Sequence, residues 1–186
     1  MKGIHIMTDI ETLGIDSDTT IFQIAAAAFT FDNDEIIDRI DLKLDISTVD
    51  KMIVNGSTLK WWMKTDAELL KQLFEEGNLT EVEMLQSFVD WVNKFDKPRL
   101  WGNGIIFDNR FIMDKLQQNG IKYPIYYKHD RDVRTILAIA ADVSGLSERE
   151  ISKQIEDENE RAHNAIDDVT KQIRLVKHCY NIIKSC

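Results

Sequence analysis

Asp9 and Glu11 stand two residues apart at the end of a stretch, Ile4-His5-Ile6-Met7-Thr8, that reads as a β-strand. On a strand, residues i and i+2 point to one face about 6.6 Å apart, so both carboxylates can serve one centre. Like charges beside apolar neighbours repel, and a cation relieves them; the plain alternative is that both simply face solvent beyond the strand end. Asp108 follows Trp101-Gly102-Asn103-Gly104-Ile105-Ile106-Phe107, which reads as strand, flexible turn and helix start. A carboxylate is favoured there by the helix dipole whether or not it does chemistry. His163 and Asp168 bracket Asn164-Ala165-Ile166-Asp167 at the start of the last helix. Five helical residues turn the chain by roughly 140°, so the two converge only if His163 lies in the loop ahead of that helix. Asp168 falls on the flank of the apolar stripe, where core meets solvent, while a solvated face is the ordinary reading for Asp167 and Asp168. Carboxylate oxygens suit hard divalent cations, and imidazole is the side chain that commonly takes a proton from water near neutral pH.

Strands and helices must bring these groups together. Periodicity and turn residues predict strands over 3–12, 21–31 and 35–44, with Asp32-Asn33-Asp34 as the turn between the last two. After Ile46 the pattern becomes helical, with capping boxes expected at Thr65/Glu68 and Thr80/Glu83, the second opening a stripe of Val82, Leu85, Val89 and Val92. Pro98 introduces a short strand over 99–103, then a helix over 107–118 stopped by Gly120, then a strand-helix unit over 126–143. The last helix carries Ile166, Val169, Ile173, Val176, Tyr180 and Ile183 at spacings of three and four, which gives one long buried face. A meander of strands followed by strand-helix alternation predicts an α/β fold, a mixed sheet covered by helices. Of the other histidines, His5 is expected packed in its strand, and His129 and His178 at the surface.

With 186 residues, two prolines, eight glycines and no linker or repeat, residues 1–186 read as a single domain. No apolar run ahead of Asp9 suits a signal peptide, and the longest later one, 24–29, is far too short for a membrane span, so no membrane is expected. Cys179 and Cys186 fit neither a disulfide framework nor a zinc pattern, and a cytoplasmic chain with reduced thiols is expected. The net charge of -9 speaks against extended tracking along phosphates. Two divalent ions held by four acids would add +4 and bring -9 to about -5. That suits a grip on a short strand end.

Taken together, Asp-x-Glu on the first strand, Asp in a Phe-Asp helix start and His-x-x-x-x-Asp near the C-terminus resemble the DEDDh exonucleases of the ribonuclease H-like fold. The resemblance runs from Asp9 to Asp168. Asp9-Ile10-Glu11-Thr12-Leu13-Gly14, the Trp61-Trp62 pair, Trp101-Gly102-Asn103-Gly104 and Asp132-Val133-Arg134-Thr135 look most like the small phage, prophage and mycobacterial members, which include exodeoxyribonucleases and exoribonucleases. It implies a ribonuclease H-like mixed β-sheet with helices on both faces. Asp9, Glu11, Asp108 and Asp168 become ligands of two Mg²⁺ or Mn²⁺ ions, and His163 the general base; the tyrosine branch would need its Tyr where Asn164 stands. Such an ion pair polarises a terminal phosphodiester from both sides of the scissile bond, giving a 3'-5' exonuclease that releases nucleoside 5'-monophosphates.

The same resemblance puts Thr12 and Leu13 beside the 3'-terminal nucleotide, Leu13 as an apolar wedge. Trp61 and Trp62 are candidates for stacking on a base, although adjacent helical residues point apart and one of the pair belongs in the core. Asn103 is a candidate substrate contact, five residues before Asp108 where proofreading-type members have four. Arg134 is a candidate phosphate contact, the alternative being an ion pair with Asp132. The expected partner is a single-stranded DNA or RNA 3' end, DNA slightly ahead, with a homodimer left open. An exoribonuclease on short RNA or 3' overhangs is the nearest alternative, since no residue here reads a 2'-OH. A catalytically silent interaction domain and an endonuclease are the more distant ones. The charged stretch 155–161 offers little apolar anchorage and is expected to be mobile until substrate arrives.

Overall fold

The computed structural model describes residues 3–157 and 161–185. Residues 158–160, on which the expected mobility of 155–161 partly falls, and Cys186, one of the two thiols, lie outside the described residues. Among the described residues five strands form one sheet in the order β3-β2-β1-β4-β5: β1 is His5–Thr12, β2 Ile21–Phe29, β3 Ile36–Lys43, β4 Arg99–Gly102 and β5 Asp130–Asp132. β1, β2 and β3 pair antiparallel as the meander predicts, whereas β1–β4 and β4–β5 are parallel. The carboxyl ends of β1, β4 and β5 therefore share one end of the sheet, the place where open α/β sheets hold ligands.

Among the described residues, seven α-helices cover the two faces. On one lie α1 (Gly56–Thr65), α2 (Ala67–Glu76), α3 (Glu81–Val92) and α4 (Asp108–Gln118), packing Trp62, Leu73, Phe88 and Ile112 onto Ile6, Ile10, Ile24, Ala26 and Ala28. On the other lie α5 (Val133–Ser144), α6 (Glu148–Lys153) and α7 (Ala165–Ser185), packing Leu137, Ile151, Val169, Ile173 and Val176 onto Met7, Ala25, Ala27 and Phe29. β2 is buried throughout, and its run Ala25-Ala26-Ala27-Ala28 alternates between the two cores. Side chains this small leave room for helices to lie close against the central strands on both faces. The observed architecture is the mixed sheet with helices on both faces.

Several local expectations are revised. The capping box at Thr80/Glu83 forms, but Thr65/Glu68 does not: Thr65 remains the last residue of α1, and Asp66, an equally strong cap one residue later, accepts from the N–H of Leu69. The buried stripe of α7 contains Val169, Ile173 and Val176 together with Ala165, Gln172 and Cys179, while Ile166, Tyr180 and Ile183 are only half-buried. His5 is buried as expected and accepts from Trp101 Nε1 at 2.8 Å. His129 and His178 are half-buried rather than at the open surface, His129 with Nδ1 3.2 Å from the carbonyl of Pro98 and His178 with Nε2 2.8 Å from Gln154 Oε1. No helix among the described residues is long and apolar enough to cross a membrane.

Candidate active site

β1 delivers Asp9 and Glu11 to one face, and α7 brings Asp168 across to them. Oxygens from the three carboxylates lie within 4.8 Å of one another. Asp108, the first residue of α4, is buried in the same cleft, a cavity of about 510 Å³ lined also by Asn103, Arg134, His163, Lys171 and Gln172. Gly102 makes room for it. A Cβ at that position would lie 3.1 Å from Asp108 Oδ2 and 2.7 Å from Asn109 Oδ1.

Crowding four acids in a buried place drives each towards its neutral form. Burial, then Asp108 and Asp168, push Asp9 well above the usual carboxylate range, with Gln172 Nε2 donating to its Oδ1 at 2.8 Å in partial compensation. Burial and the neighbouring Asp9 push Glu11 up to about 10. Asp108 rises to about 7 through burial, held back by backbone hydrogen bonds from Asn103, Asp108 and Ile10. Asp168 rises through burial too, against the backbone N–H of His163. A donor set made of hard oxygens, too close to one another to ionise together without a counter-charge, fits divalent cations of the Mg²⁺ or Mn²⁺ kind.

His163 sits in the turn ahead of α7, as its spacing from Asp168 requires. Its φ of 66° is left-handed, a conformation that costs a non-glycine residue on the order of 1 kcal/mol or more and persists only where neighbours enforce it. Its N–H donates to Asp168 Oδ2 at 3.0 Å. Gln23 fixes the next two residues, donating to Asn164 Oδ1 at 3.0 Å and accepting from the N–H of Ala165 at 3.3 Å. The imidazole lines the cleft and meets the indole of Trp61 edge-on, centroids 4.8 Å apart. Asp167 does not line this cavity; Asp168 does.

The remaining candidates divide. Thr12 is nearly buried, its hydroxyl donating to the carbonyl of Gly14 at 2.6 Å, yet it borders a side lobe shared with Glu11, Ile15, Thr58 and Trp61. Leu13 is no wedge: it is 1% exposed within the core, and Ile15, 68% exposed, is among the apolar side chains that line the lobe. The two tryptophans separate as helical geometry demands. Trp62 is 1% exposed, packed on Phe22 and donating from Nε1 to the carbonyl of Thr12 at 3.2 Å, so it offers no free face for stacking. Trp61 is 42% exposed and does. Asn103 is exposed at the cleft mouth, accepting from Arg134 Nε at 3.4 Å. The alternative of an ion pair between Arg134 and Asp132 is set aside, because Asp132 caps α5 through Thr135 N–H and accepts from Ile105 N–H.

Three supporting groups escaped the sequence reading. Gln172 lies four residues after Asp168 and hence on the same helical face, a spacing that could have revealed it. Gln23, a lone amide inside Ile21-Phe22-Gln23-Ile24, could also have been noticed. The contact of Arg161 with Asp66 spans 95 residues and leaves no local sequence signal. Its presence also revises the picture of 155–161 as unanchored: Arg161 is tied to Asp66, and the carbonyl of Ile155 accepts from Arg174 Nη2 at 3.2 Å.

The sheet brings four carboxylates and a neighbouring imidazole to one cleft, and the family the chain matches makes its class that of a hydrolytic 3'-5' exonuclease. Residues 4–180 match the Rv2179c-like 3'-5' exoribonuclease domain family, and the chain belongs to it. None of the curated protein sequences matches. Among solved structures, the nuclease domain of 3'hExo, a DEDDh family member bound to rAMP, superposes with a TM-score of 0.66 at 15% identity, covering 96% of this chain and 92% of that one. The cell-death related nuclease CRN-4 gives 0.70 at 13% identity, over 96% of this chain and 64% of its own. The zinc-bound form of E. coli ExoI with single-stranded DNA gives 0.68 at 18% identity; this chain matches over 95% of its length and spans only 40% of ExoI. At these identities the likenesses speak for the fold.

Proposed function

We propose that the protein trims single-stranded RNA from its 3' end, releasing nucleoside 5'-monophosphates, with Asp9, Glu11, Asp108 and Asp168 holding two Mg²⁺ or Mn²⁺ ions and His163 as the general base. The observation that carries this is the meeting of three carboxylates within 4.8 Å, with Asp108 and the imidazole in the same cleft. Divalent ions held there supply the charge that the four acids lack and acidify water beside the phosphate. Everything else falls to the chain. His163 Nδ1 or Nε2 takes the water proton. Trp61 offers a face for the terminal base, a contact typically worth about 1 to 3 kcal/mol. Arg134 and Asn103 at the mouth meet the next phosphate.

RNA stands ahead of DNA, the reverse of the order expected from the sequence, because the matched family is described by exoribonuclease activity. Single-stranded DNA is the second reading, supported by the likeness to the DNA complex of ExoI. The test is digestion of matched RNA and DNA oligomers labelled at the 5' end, in Mg²⁺, Mn²⁺ or EDTA. A ladder shortening one nucleotide at a time from the 3' end, faster on RNA and absent in EDTA, is expected. Internal cleavage of a 3'-blocked oligomer contradicts the exonuclease assignment; faster DNA decay reverses the substrate order alone.

A further inference from the structure

The corner between α1 and α2 holds the general-base turn from outside the acid cluster. Asp66 closes α1 through its N–H to the carbonyl of Trp62 and opens α2 by accepting from Leu69 N–H. The same carboxylate receives a two-pronged contact from Arg161, Nε to Oδ2 at 2.9 Å and Nη2 to Oδ1 at 2.7 Å. Beyond His163, Gln23 grips Asn164 and Ala165. Only Ala162 and His163 lie between these two grips, and His163 is held there in a left-handed backbone. Five residues before Asp66, Trp61 supports the edge of the imidazole. One helical corner thus touches the ring with its first helix and anchors the backbone beneath it with its cap.

We infer that Asp66 and Arg161 are positioning residues for His163, a fork-on-carboxylate clamp that sets the imidazole at the cleft. The inference rests on the reading of His163 as the base. Fold stability does not explain the pair, since an ion pair with side chains 42% and 25% exposed adds little to it. Placement does. A misplacement of a reacting group by about 1 Å lowers a rate by about 10²-fold, and the paired fork fixes direction as well as distance.

The test uses Arg161→Gln and Asp66→Asn, the latter because Asn caps a helix as well as Asp does and so leaves α2 intact. Each should lower kcat by about 10- to 100-fold, leaving KM and the calorimetric affinity for Mn²⁺ unchanged. Arg161→Lys, which keeps the charge but loses the fork, should fall between. Acrylamide quenching of Trp61, the one exposed tryptophan, should rise as the imidazole leaves it. The decisive comparison adds Arg161→Gln to His163→Ala: a residue acting only through His163 produces no further loss. A further loss of similar size in that background, or wild-type kcat for Arg161→Gln beside an impaired His163→Ala, overturns the clamp. Wild-type kcat for His163→Ala itself is a different result, which removes the base and the clamp with it.

Discussion

Asp9 and Glu11 ride on a strand whose backbone is paired with β2 along its whole length, whereas His163 occupies a turn held by side chains from three other elements. On the proposed reading the acids need a fixed spacing because they would share ions, and a hydrogen-bonded strand supplies most of it, with Gln172 bracing Asp9. As the proposed base, His163 would meet a water and a scissile bond that arrive with the substrate, and a turn held by Asp66, Gln23 and Asp168 can be set to that position. Substitutions at the two places should therefore fail in different ways.

The largest effect is expected at the acids. Asp9→Asn or Asp168→Asn should reduce nuclease activity to background while the protein melts no lower without metal, since one member of a repelling set has been neutralised. Wild-type turnover by either variant in Mg²⁺ would contradict the assignment. Asp167→Asn, outside the cavity, should remain within a few-fold of wild type, and its loss of activity beside an active Asp168→Asn would shift the register by one residue. His163→Ala comes next, with kcat lower by about 10²- to 10⁴-fold and ion affinity kept.

Removing the brace rather than a ligand gives a smaller effect. Gln172→Leu frees Asp9 from its amide and should weaken Mn²⁺ binding by about 10- to 100-fold, the usual range for groups that orient a ligand. Unchanged binding in calorimetry would make Gln172 a packing residue only.

Legibility in the sequence followed the same divide. The strands and the long final helix were readable because hydrophobic period and turn residues are local signals, while the coverage of both faces came only from the family resemblance. Asp9 and Glu11 were readable through a period of two, and Asp168 through its distance from His163 and the stripe of α7. Burial of individual side chains near the site was not. Leu13 sinks into the core because β1 continues into a turn whose backbone is bonded to Thr20 and Asn55, and nothing in Thr12-Leu13-Gly14-Ile15 says which apolar residue will face the cleft. The choice between Trp61 and Trp62 depends on how α1 rolls against Phe22. Asp66 looked like a residue inside a capping box, and only the tertiary fold shows it serving a turn 95 residues away.

The smallest effect concerns stability against pH, and it also separates regions. Glu11 and Asp108 have folded values raised from 4.5 to about 10 and from 3.8 to about 7, so their neutral forms favour the fold at low pH. That contribution is complete below their ordinary values and is lost as pH rises through the raised ones. His5, pushed down from 6.5 to about 4 by burial, works in the opposite sense: its contribution is present above 6.5 and lost as pH falls through 4. Mg²⁺ should accordingly raise Tm more at pH 8 than at pH 5, and Glu11→Gln should remove part of that difference. An ion effect on Tm equal at both pH values would mean that the acids are not coupled as described.

Calorimetric titration of Mn²⁺ into the wild type, Asp168→Asn and His163→Ala tests most directly whether the strand-borne acids hold the ions while the turn-borne histidine does not. Binding by the wild type, near-identical binding by His163→Ala and loss of at least one ion by Asp168→Asn are predicted. Loss of binding in His163→Ala with full binding in Asp168→Asn would contradict the account, making the histidine a ligand and the carboxylate a bystander.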